Sequence, residues 1–193
     1  MNIILASQSP RRLFLLEAAG IDVVVHPSFI DETPLADESA LSTTQRLCKE
    51  KASACQVIGK ATPIIAADTL VAIGNEALGQ PQDLAEAKQM IQKLSGKQHQ
   101  VHTTVCVRLG DVYQVETVTT TVSFRAIASA EIDVYVQHND ILDKAGAYAI
   151  QGGASGFITG IEGSLDNVIG LPVATTLALI AEVQQEVQAL QEV

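Results

Sequence analysis

Tryptophan is absent from this 193-residue sequence, and aromatic side chains make up only 4% of it. Because 47% of the residues are hydrophobic, the interior has to be built mainly from aliphatic side chains. Valine, isoleucine, leucine and alanine dominate, and their distribution is typical of an α/β protein. No repeat or flexible linker divides the chain, so we expect a single domain over residues 1–193.

Basic residues are also scarce, with 12 lysines and arginines against 22 acidic residues and a formal net charge of −10. Non-specific binding to nucleic acid or to an anionic membrane needs a basic surface, so the charge argues against both partners. No apolar run is long enough to span a bilayer. A small anionic ligand in a local basic pocket is still compatible with this composition.

The cysteines and histidines exclude several kinds of site. Cys48, Cys55 and Cys106 contain no C-x-x-C pair, and we interpret them as buried thiols in a reducing compartment. None of the four histidines has metal-ligand spacing. The sequence has neither a P-loop nor a G-x-S-x-G elbow, so it belongs to neither of those hydrolase types.

The segment ASQSPRR, from Ala6 to Arg12, allows two interpretations. Twin arginines before an apolar run can form an export signal, but the following stretch is short and carries Glu17 and Asp22. The preceding residues already form a plausible strand. We therefore expect a cytoplasmic protein in which Ser9 caps a helix that begins at Pro10.

A strand that runs into a helix start is a good place for phosphate. Backbone N–H groups and the helix dipole favour an anion there, and Ser7 and Ser9 add hydroxyl donors. The guanidinium groups of Arg11 and Arg12 match phosphate oxygens. The alternative, a solvated helix start with two surface arginines, is about equally compatible with this segment alone.

Asp68 ends the apolar strand IIAAD, where carboxylates are well placed for ligands in open α/β folds. A single Asp in that position is more often a turn residue unless a partner lies nearby. Candidate partners are Glu32, in the acidic loop FIDET, and Lys51, in the next predicted helix. Two carboxylates that converge near phosphate would suit Mg²⁺.

The stretch LDKAGAYAIQG contains Asp143, Lys144 and Gln151. Lys144 could reach phosphate, and Gln151 could bind the edge of a base because its amide both donates and accepts. Taken alone, this stretch is better explained as a tight loop with incidental polar residues.

Periodicity and capping signals predict alternating strands and helices. The first 25 residues form a strand–helix–strand unit. The other predicted elements are a helix from Ser39 or Ser42 to about Val57, a strand Ile64–Ala67 that ends at Asp68-Thr69 and continues extended over Leu70–Ile73, a helix capped by Asp83, a hairpin of His99–Leu109 with Val112–Ile127 that turns at Gly110-Asp111, a helix capped by Ser129, a short extended piece within the loop AGAYAIQGGASG, a strand Phe157–Ile161 and a final helix after Pro172.

Taken together, these motifs resemble those of the Maf family of nucleoside triphosphate pyrophosphatases, nearly from end to end. The matching segments are ASQSPRR, the IDE of the acidic loop, ADT at 67–69, LSGKQHQVHT, TVSFR, DKAGAYAIQG and the GLP before the last helix. The resemblance implies an elongated mixed β-sheet flanked by helices, in two lobes with a substrate cleft between them. It also implies hydrolysis of a nucleoside triphosphate to the monophosphate and pyrophosphate, a divalent metal (Mg or Mn) and a homodimer.

Within the family, SPRR and DT are similar to the subgroup that acts on dTTP and UTP, whereas the 7-methyl-GTP subgroup carries SPWR and DQ. By this similarity Arg12, Thr69 and Gln151 would select the nucleotide, and Asp68 would be the general base. Two other functions stay open. One is a pyrophosphatase for purine or 7-methyl-GTP substrates, and the other is a division-related nucleotide-binding protein with lost catalysis.

The resemblance leads to a specific mechanism. Glu32 and Asp68 would hold the metal or orient the attacking water, although Asp68 could be a metal ligand only. Phosphate would be held by Ser9, Arg11, Arg12, Lys51 and Lys144. One departure concerns the GKP-like turn of the family, which here is GQP with Gln80. Glutamine can donate to phosphate but carries no charge, so we expect weaker triphosphate binding or slower turnover than in relatives.

Overall fold

The computed structural model describes residues 3–55 and 62–192, which fold around a seven-stranded mixed sheet. Its strands are β1 (Ile3–Leu5), β2 (Val23–Val25), β3 (Ile64–Ile73), β4 (Glu76–Leu78), β5 (Gln98–Leu109), β6 (Val112–Phe124) and β7 (Ile158–Glu162). Its α-helices are α1 (Pro10–Ala18), α2 (Ala40–Ala54), α3 (Leu84–Leu94), α4 (Ser129–His138), α5 (Leu165–Ile169) and α6 (Val173–Gln191). Short 3-10 turns cover Ala145–Ala147 and Gly153–Phe157.

The strand order β2-β1-β3-β5-β6-β7 places β3 near the centre of the sheet. One edge of β3 pairs antiparallel with β5 from Ile64 to Ala72. The other edge is shared: β1 pairs in parallel with Ile64 and Ile65, and β4 pairs antiparallel with Val71–Ile73. Among the described strands, none pairs with the intervening stretch of this edge. The gap leaves room for side chains and a ligand beside Asp68 and Thr69.

Two large core clusters lie at the two ends of the sheet, and two smaller clusters lie between α2 and the sheet. The first packs α1 and α6 against β1, β3 and β5 through aliphatic side chains such as Leu16 and Val183. The second packs α3 and α4 against the far ends of the long strands. It contains four of the chain's seven Phe and Tyr residues, in edge-to-face contacts with one another and with His99. Among the described residues, no Phe or Tyr belongs to the first cluster or to the two smaller ones, so the expected interior with few aromatic side chains is confirmed everywhere except in the second cluster.

The predicted mixed sheet flanked by helices is confirmed, with differences at several boundaries. Helix α2 ends at Ala54 rather than near Val57, and residues 56–61 lie outside the described part. Strand β6 ends at Phe124, three residues earlier than predicted. Ser129 does not cap α4: Ala128 holds that position, and its N–H donates to the Glu131 carboxylate. The short helix α5 was not predicted.

All three cysteines are free and buried, as expected. The two histidines of β5 have separate structural contacts. His99 lies in the second core cluster, where Nε2 is 2.8 Å from the Tyr148 hydroxyl, and Nδ1 of His102 is 2.8 Å from Thr119 Oγ1. Across the described residues, no helix combines the length and apolar character that a membrane crossing requires.

Candidate active site

The first wall of the cleft is the start of α1. Ser9 caps the helix with Oγ 3.5 Å from the backbone nitrogen of Arg12, and Pro10 is the first helical residue. Ser7 Oγ accepts from the Ser9 N–H at 3.2 Å, which holds the preceding turn closed. Ser9 thus has the local role that the capping pattern predicts, and both serines face the cleft.

Arg12 turns inward instead of pointing into solvent. Its guanidinium donates to Ser7 Oγ at 3.0 Å, to the Gly170 carbonyl at 2.9 Å and to Thr69 Oγ1 at 3.2 Å. Burial lowers the pKa of Arg12, and the nearby Asp68 carboxylate opposes that shift. The alternative of two surface arginines is therefore wrong for Arg12. This side chain joins α1 to β3 and to the turn that precedes α6.

Lys51 connects the two predicted acidic residues. Its ammonium lies 2.7 Å from Asp68 Oδ1 and 2.8 Å from Glu32 Oε2. Lys51 and Asp68 are both buried, whereas the Glu32 side chain is 52% exposed. Burial raises the pKa of Asp68, while the charges of Lys51 and Arg12 act to lower it. A turn-former role for Asp68 is wrong, because it is in the middle of β3.

The same two carboxylates offer a place for a cation. Both already face one positive charge, the Lys51 ammonium, and both supply the oxygen donors that Mg²⁺ and Mn²⁺ accept. Within residues 3–55 and 62–192, no group of three or more His, Cys, Asp or Glu side chains could hold a metal. A metal here would thus take further oxygens from water or from a bound phosphate, as Mg²⁺ commonly does.

We call each large core cluster, with the elements packed on it, a lobe. The loop of the second lobe, residues 139–157 between α4 and β7, supplies the opposite wall. Asp143 contacts Lys144 and lies 3.7 Å from Nη1 of Arg11, so one carboxylate reaches cations from both walls. Gln80 Nε2 donates to the Asp143 carbonyl at 3.3 Å. Gln151 lines the same space and is exposed. The loop forms 3-10 turns and no strand, so the extended piece predicted within it is absent.

These walls enclose a cleft of about 870 Å³. All the predicted site residues line it: Ser7, Ser9, Arg11, Arg12, Glu32, Lys51, Asp68, Thr69, Gln80, Lys144 and Gln151. Although the chain carries a net charge of −10, four of these side chains are cationic. These cations offer local partners for an anionic ligand beside the buried carboxylate, although Asp143 and other acidic side chains also line the cleft.

Sequence reasoning missed a supporting layer behind Thr69 and Arg12. Thr69 Oγ1 lies 2.9 Å from Thr103 Oγ1, and the Thr103 hydroxyl donates to the Asn167 carbonyl at 3.1 Å. Gly170 accepts from Arg12 through its carbonyl. Two of these residues belong to motifs quoted above, since Thr103 ends LSGKQHQVHT and Gly170 begins GLP. Their place in these motifs could have marked the two residues as candidates. Only the folded structure shows that they contact Thr69 and Arg12.

The fold and the cleft together define a mixed α/β protein with a buried carboxylate and several cationic side chains in one cleft. A family model described as "Maf-like protein" matches residues 2–183, so the chain belongs to this family. A protein named dTTP/UTP pyrophosphatase from Myxococcus xanthus is 44% identical over 92% of this chain and 90% of its own length. Proteins with the same name from Anaeromyxobacter dehalogenans and Chromobacterium violaceum are 45% and 42% identical, over 93% and 94% of this chain and 92% and 94% of their own lengths.

Among solved structures, the Ham1 protein of Staphylococcus aureus aligns with a TM-score of 0.41 and 12% identity. The alignment covers 64% of this chain and 72% of that one.

Proposed function

We propose that this protein hydrolyses dTTP and UTP to the nucleoside monophosphate and pyrophosphate, as part of the house-cleaning of nucleotide pools. The observation that carries the proposal is the buried Asp68 carboxylate, paired with Lys51 in a cleft whose walls present arginine and lysine side chains. The names of the relatives, which share more than two fifths of their residues with this chain, support the choice of substrate.

In this proposal the triphosphate lies across the cleft. The N-terminus of α1 and the side chains of Ser9, Arg11, Lys51 and Lys144 neutralise and orient its phosphates. Arg11 and Lys144 both contact Asp143. A bound phosphate would compete with that carboxylate for the two cations, which Asp143 holds close together.

Asp68 acts as the general base. It takes a proton from a water molecule, and that water attacks the α-phosphorus as the bond to the pyrophosphate oxygen breaks. The raised pKa that burial gives Asp68 makes it a better proton acceptor than an exposed aspartate. Lys51, 2.7 Å away, holds the carboxylate in place.

A divalent cation would be held by Glu32 and Asp68. When bound, such an ion neutralises phosphate charge and so stabilises the charge that develops on the leaving pyrophosphate. Asp68 could be a ligand of this ion instead of the base, and the two roles share the same atoms. Nucleotide selection is assigned to Arg12, Thr69 and Gln151. The homodimer and the cytoplasmic location stay predictions.

The test is pyrophosphate release from dTTP, UTP, ITP and 7-methyl-GTP, measured with Mg²⁺ or Mn²⁺. We expect turnover of dTTP and UTP well above that of the two purine nucleotides. Asp68→Asn should lower kcat by about 10²–10⁴-fold, the usual contribution of a positioned acid or base. Near-normal turnover in that variant would remove Asp68 from the mechanism. Absence of release from every substrate would support a binding protein instead.

A further inference from the structure

We infer that Thr103, a buried residue that does not line the cleft, selects the nucleotide base by fixing the direction of the Thr69 hydroxyl. This inference rests on the proposed function and deepens it. Thr103 is a positioning residue: it would act through Thr69 on uracil and thymine, which carry a hydrogen-bond donor at N3, and against cytosine, which does not.

The argument starts at Asn167, whose side chain is completely buried. Its amide Nδ2 donates to the Val101 carbonyl at 3.0 Å and to Thr120 Oγ1 at 2.9 Å, so α5 is pinned to β5 and β6. These bonds hold the backbone carbonyl of Asn167 in front of Thr103, with Thr103 Oγ1 at 3.1 Å.

A backbone carbonyl can only accept a hydrogen bond, and a threonine hydroxyl has one hydrogen. The hydrogen of Thr103 is therefore directed to Asn167. The contact of 2.9 Å between Thr69 Oγ1 and Thr103 Oγ1 then has a defined polarity, in which Thr69 donates and Thr103 accepts. Because Thr103 is completely buried, no water competes for this bond.

Thr69 has no hydrogen left for a ligand. Its oxygen also accepts from Nη2 of Arg12 at 3.2 Å, which occupies one of its two lone pairs. What Thr69 presents to the cleft is the remaining lone pair, next to a guanidinium. A ligand atom at this point has to be a donor, since an acceptor would face an unpaired lone pair and lose a hydrogen bond.

Uracil and thymine carry an N3–H donor between two carbonyl oxygens, whereas N3 of cytosine is an acceptor. If the base lies with N3 at Thr69, uracil and thymine can donate a hydrogen bond to the Thr69 oxygen, whereas cytosine cannot. The site therefore binds uracil and thymine and excludes cytosine. Sites that hydrogen-bond a substrate group discriminate strongly against analogues that lack it, because the protein's own polar group is then left unpaired.

The first test measures kcat/KM for UTP and CTP in the unaltered protein and in Thr103→Val, which keeps the shape and removes the hydroxyl. Thr69 then has no acceptor behind it and can turn its hydrogen toward the cleft. We expect the preference for UTP over CTP to fall by about tenfold, the effect of one hydrogen bond of ordinary strength. Thr103→Ser restores the acceptor and should restore the preference.

The matched control is Thr104→Val. Thr104 is the next residue of β5 and is equally buried, but its hydroxyl lies 2.9 Å from Thr44 Oγ1 and 2.8 Å from Thr117 Oγ1, away from Thr69. It should keep the UTP-over-CTP ratio. If Thr103→Val slows both nucleotides equally, Thr103 is only structural and the inference is overturned.

A second measurement needs no variant and decides the question if Thr103→Val does not fold. N3-methyl-UTP lacks the donor, and 5-methyl-UTP carries the same added methyl group elsewhere. The unaltered protein should hydrolyse the first at least about tenfold less efficiently than UTP and the second at a similar rate. Equal hydrolysis of N3-methyl-UTP and UTP overturns the inference.

Failure of the proposed function has a different signature, which is no pyrophosphate release from UTP or dTTP in the unaltered protein. The inference is then decided by calorimetric binding of UMP and N3-methyl-UMP. Tighter binding of UMP supports it, and equal binding overturns it.

Discussion

Asp68 is the residue on which the proposed chemistry depends. Its surroundings shift its pKa in two opposite directions. Burial between β5 and α2 favours the protonated carboxyl, while Lys51 and Arg12 favour the carboxylate. The Lys51 ammonium is shared with Glu32, so each carboxylate changes the charge that the other experiences. Substitutions of Lys51 or Glu32 should therefore shift the pKa of Asp68 in directions that follow from the charge removed.

The acid limb of the pH–rate profile, where kcat/KM falls with decreasing pH, should shift in the same direction as the pKa of Asp68. Asp68 acts as a base only when deprotonated, and its pKa is raised, so kcat/KM should fall as the pH decreases through that raised value. Lys51→Met removes a charge that lowers this pKa and should move the limb to higher pH. Glu32→Gln removes a charge that raises it and should move the limb to lower pH. Ionisation of the substrate affects the unaltered protein and the two variants equally, so it cannot cause a difference between their profiles. Circular dichroism at each pH shows whether each protein is folded. Superimposable limbs would exclude Asp68 as the titrating group.

Gln80 should respond to added charge. It lies in the cleft and donates to the Asp143 carbonyl, between the two walls that carry Arg11 and Lys144. A charge-assisted bond to phosphate is about twice as strong as a neutral one, so Gln80→Lys should raise kcat/KM by about threefold to tenfold. Gln82→Lys adds the same charge in the same segment outside the cleft and should have no such effect. If kcat/KM rises equally in both variants, the effect comes from overall charge. If it rises in neither, position 80 does not contribute to phosphate binding.

At the scale of elements, β3 positions the site. Its first residues belong to the parallel pairing with β1, and its last residues form a hairpin with β4 on the same edge. The loop of the second lobe is tied to this hairpin through the Gly146 N–H, which donates to the Gly79 carbonyl at 2.9 Å. The position of Lys144 relative to Gln80 therefore depends on close packing at Gly146.

Gly146→Ala should destabilise the fold and disturb this loop. Gly146 has a φ of +68°, and an added Cβ would lie 2.9 Å from Cγ2 of Val71. The left-handed conformation costs about 1–2 kcal/mol in a non-glycine residue, and overpacking adds about 1–3 kcal/mol. Gly20→Ala is the control, since Gly20 has a φ of +77° and an added Cβ there would meet no neighbour within 4 Å. Urea unfolding should show the larger loss for Gly146→Ala, and equal losses would mean that the contact with Val71 relaxes freely.

At the scale of the whole molecule, two core clusters meet across one continuous sheet, and the cleft lies where they meet. Cationic side chains come from both sides: Arg11 from α1 and Lys144 from the loop of the second lobe. A phosphate chain that contacts both would connect the two lobes. Binding should consequently stabilise the fold against unfolding.

A non-hydrolysable UTP analogue with Mg²⁺ should raise the midpoint of thermal unfolding. At a concentration of 100 times its Kd, the stabilisation is about 2.7 kcal/mol, which corresponds to about 5–10 °C for a protein of this size. Arg11→Met and Lys144→Met should lose most of this shift at the same ligand concentration. Lys88→Met should retain it, because Lys88 pairs with Asp133 outside the cleft. An undiminished shift in the first two variants would remove their cations from the binding site.

Elements with strong local signals could be predicted from the sequence. The N-caps Ser9 and Asp83 and the turn at Gly110 each depend on neighbouring residues alone, and the structure has them where predicted. Helix α5 was missed because its five residues are too few to show helical periodicity. Its position depends on Asn167, whose side chain bonds to β5 and β6 far away in sequence.

The sequence by itself determined which residues could form the site: the capped helix start proposed to bind phosphate, the carboxylate at 68 and the residues expected around a polyanion, because motif order and local capping are properties of the chain. Only the tertiary structure decided how these side chains are used. The gap on the edge of β3, the inward turn of Arg12, the sharing of Lys51 and the direction of the Thr69 hydroxyl all involve partners distant in sequence. A hydrogen bond acquires its polarity from the atoms on both sides, and folding brings those atoms together.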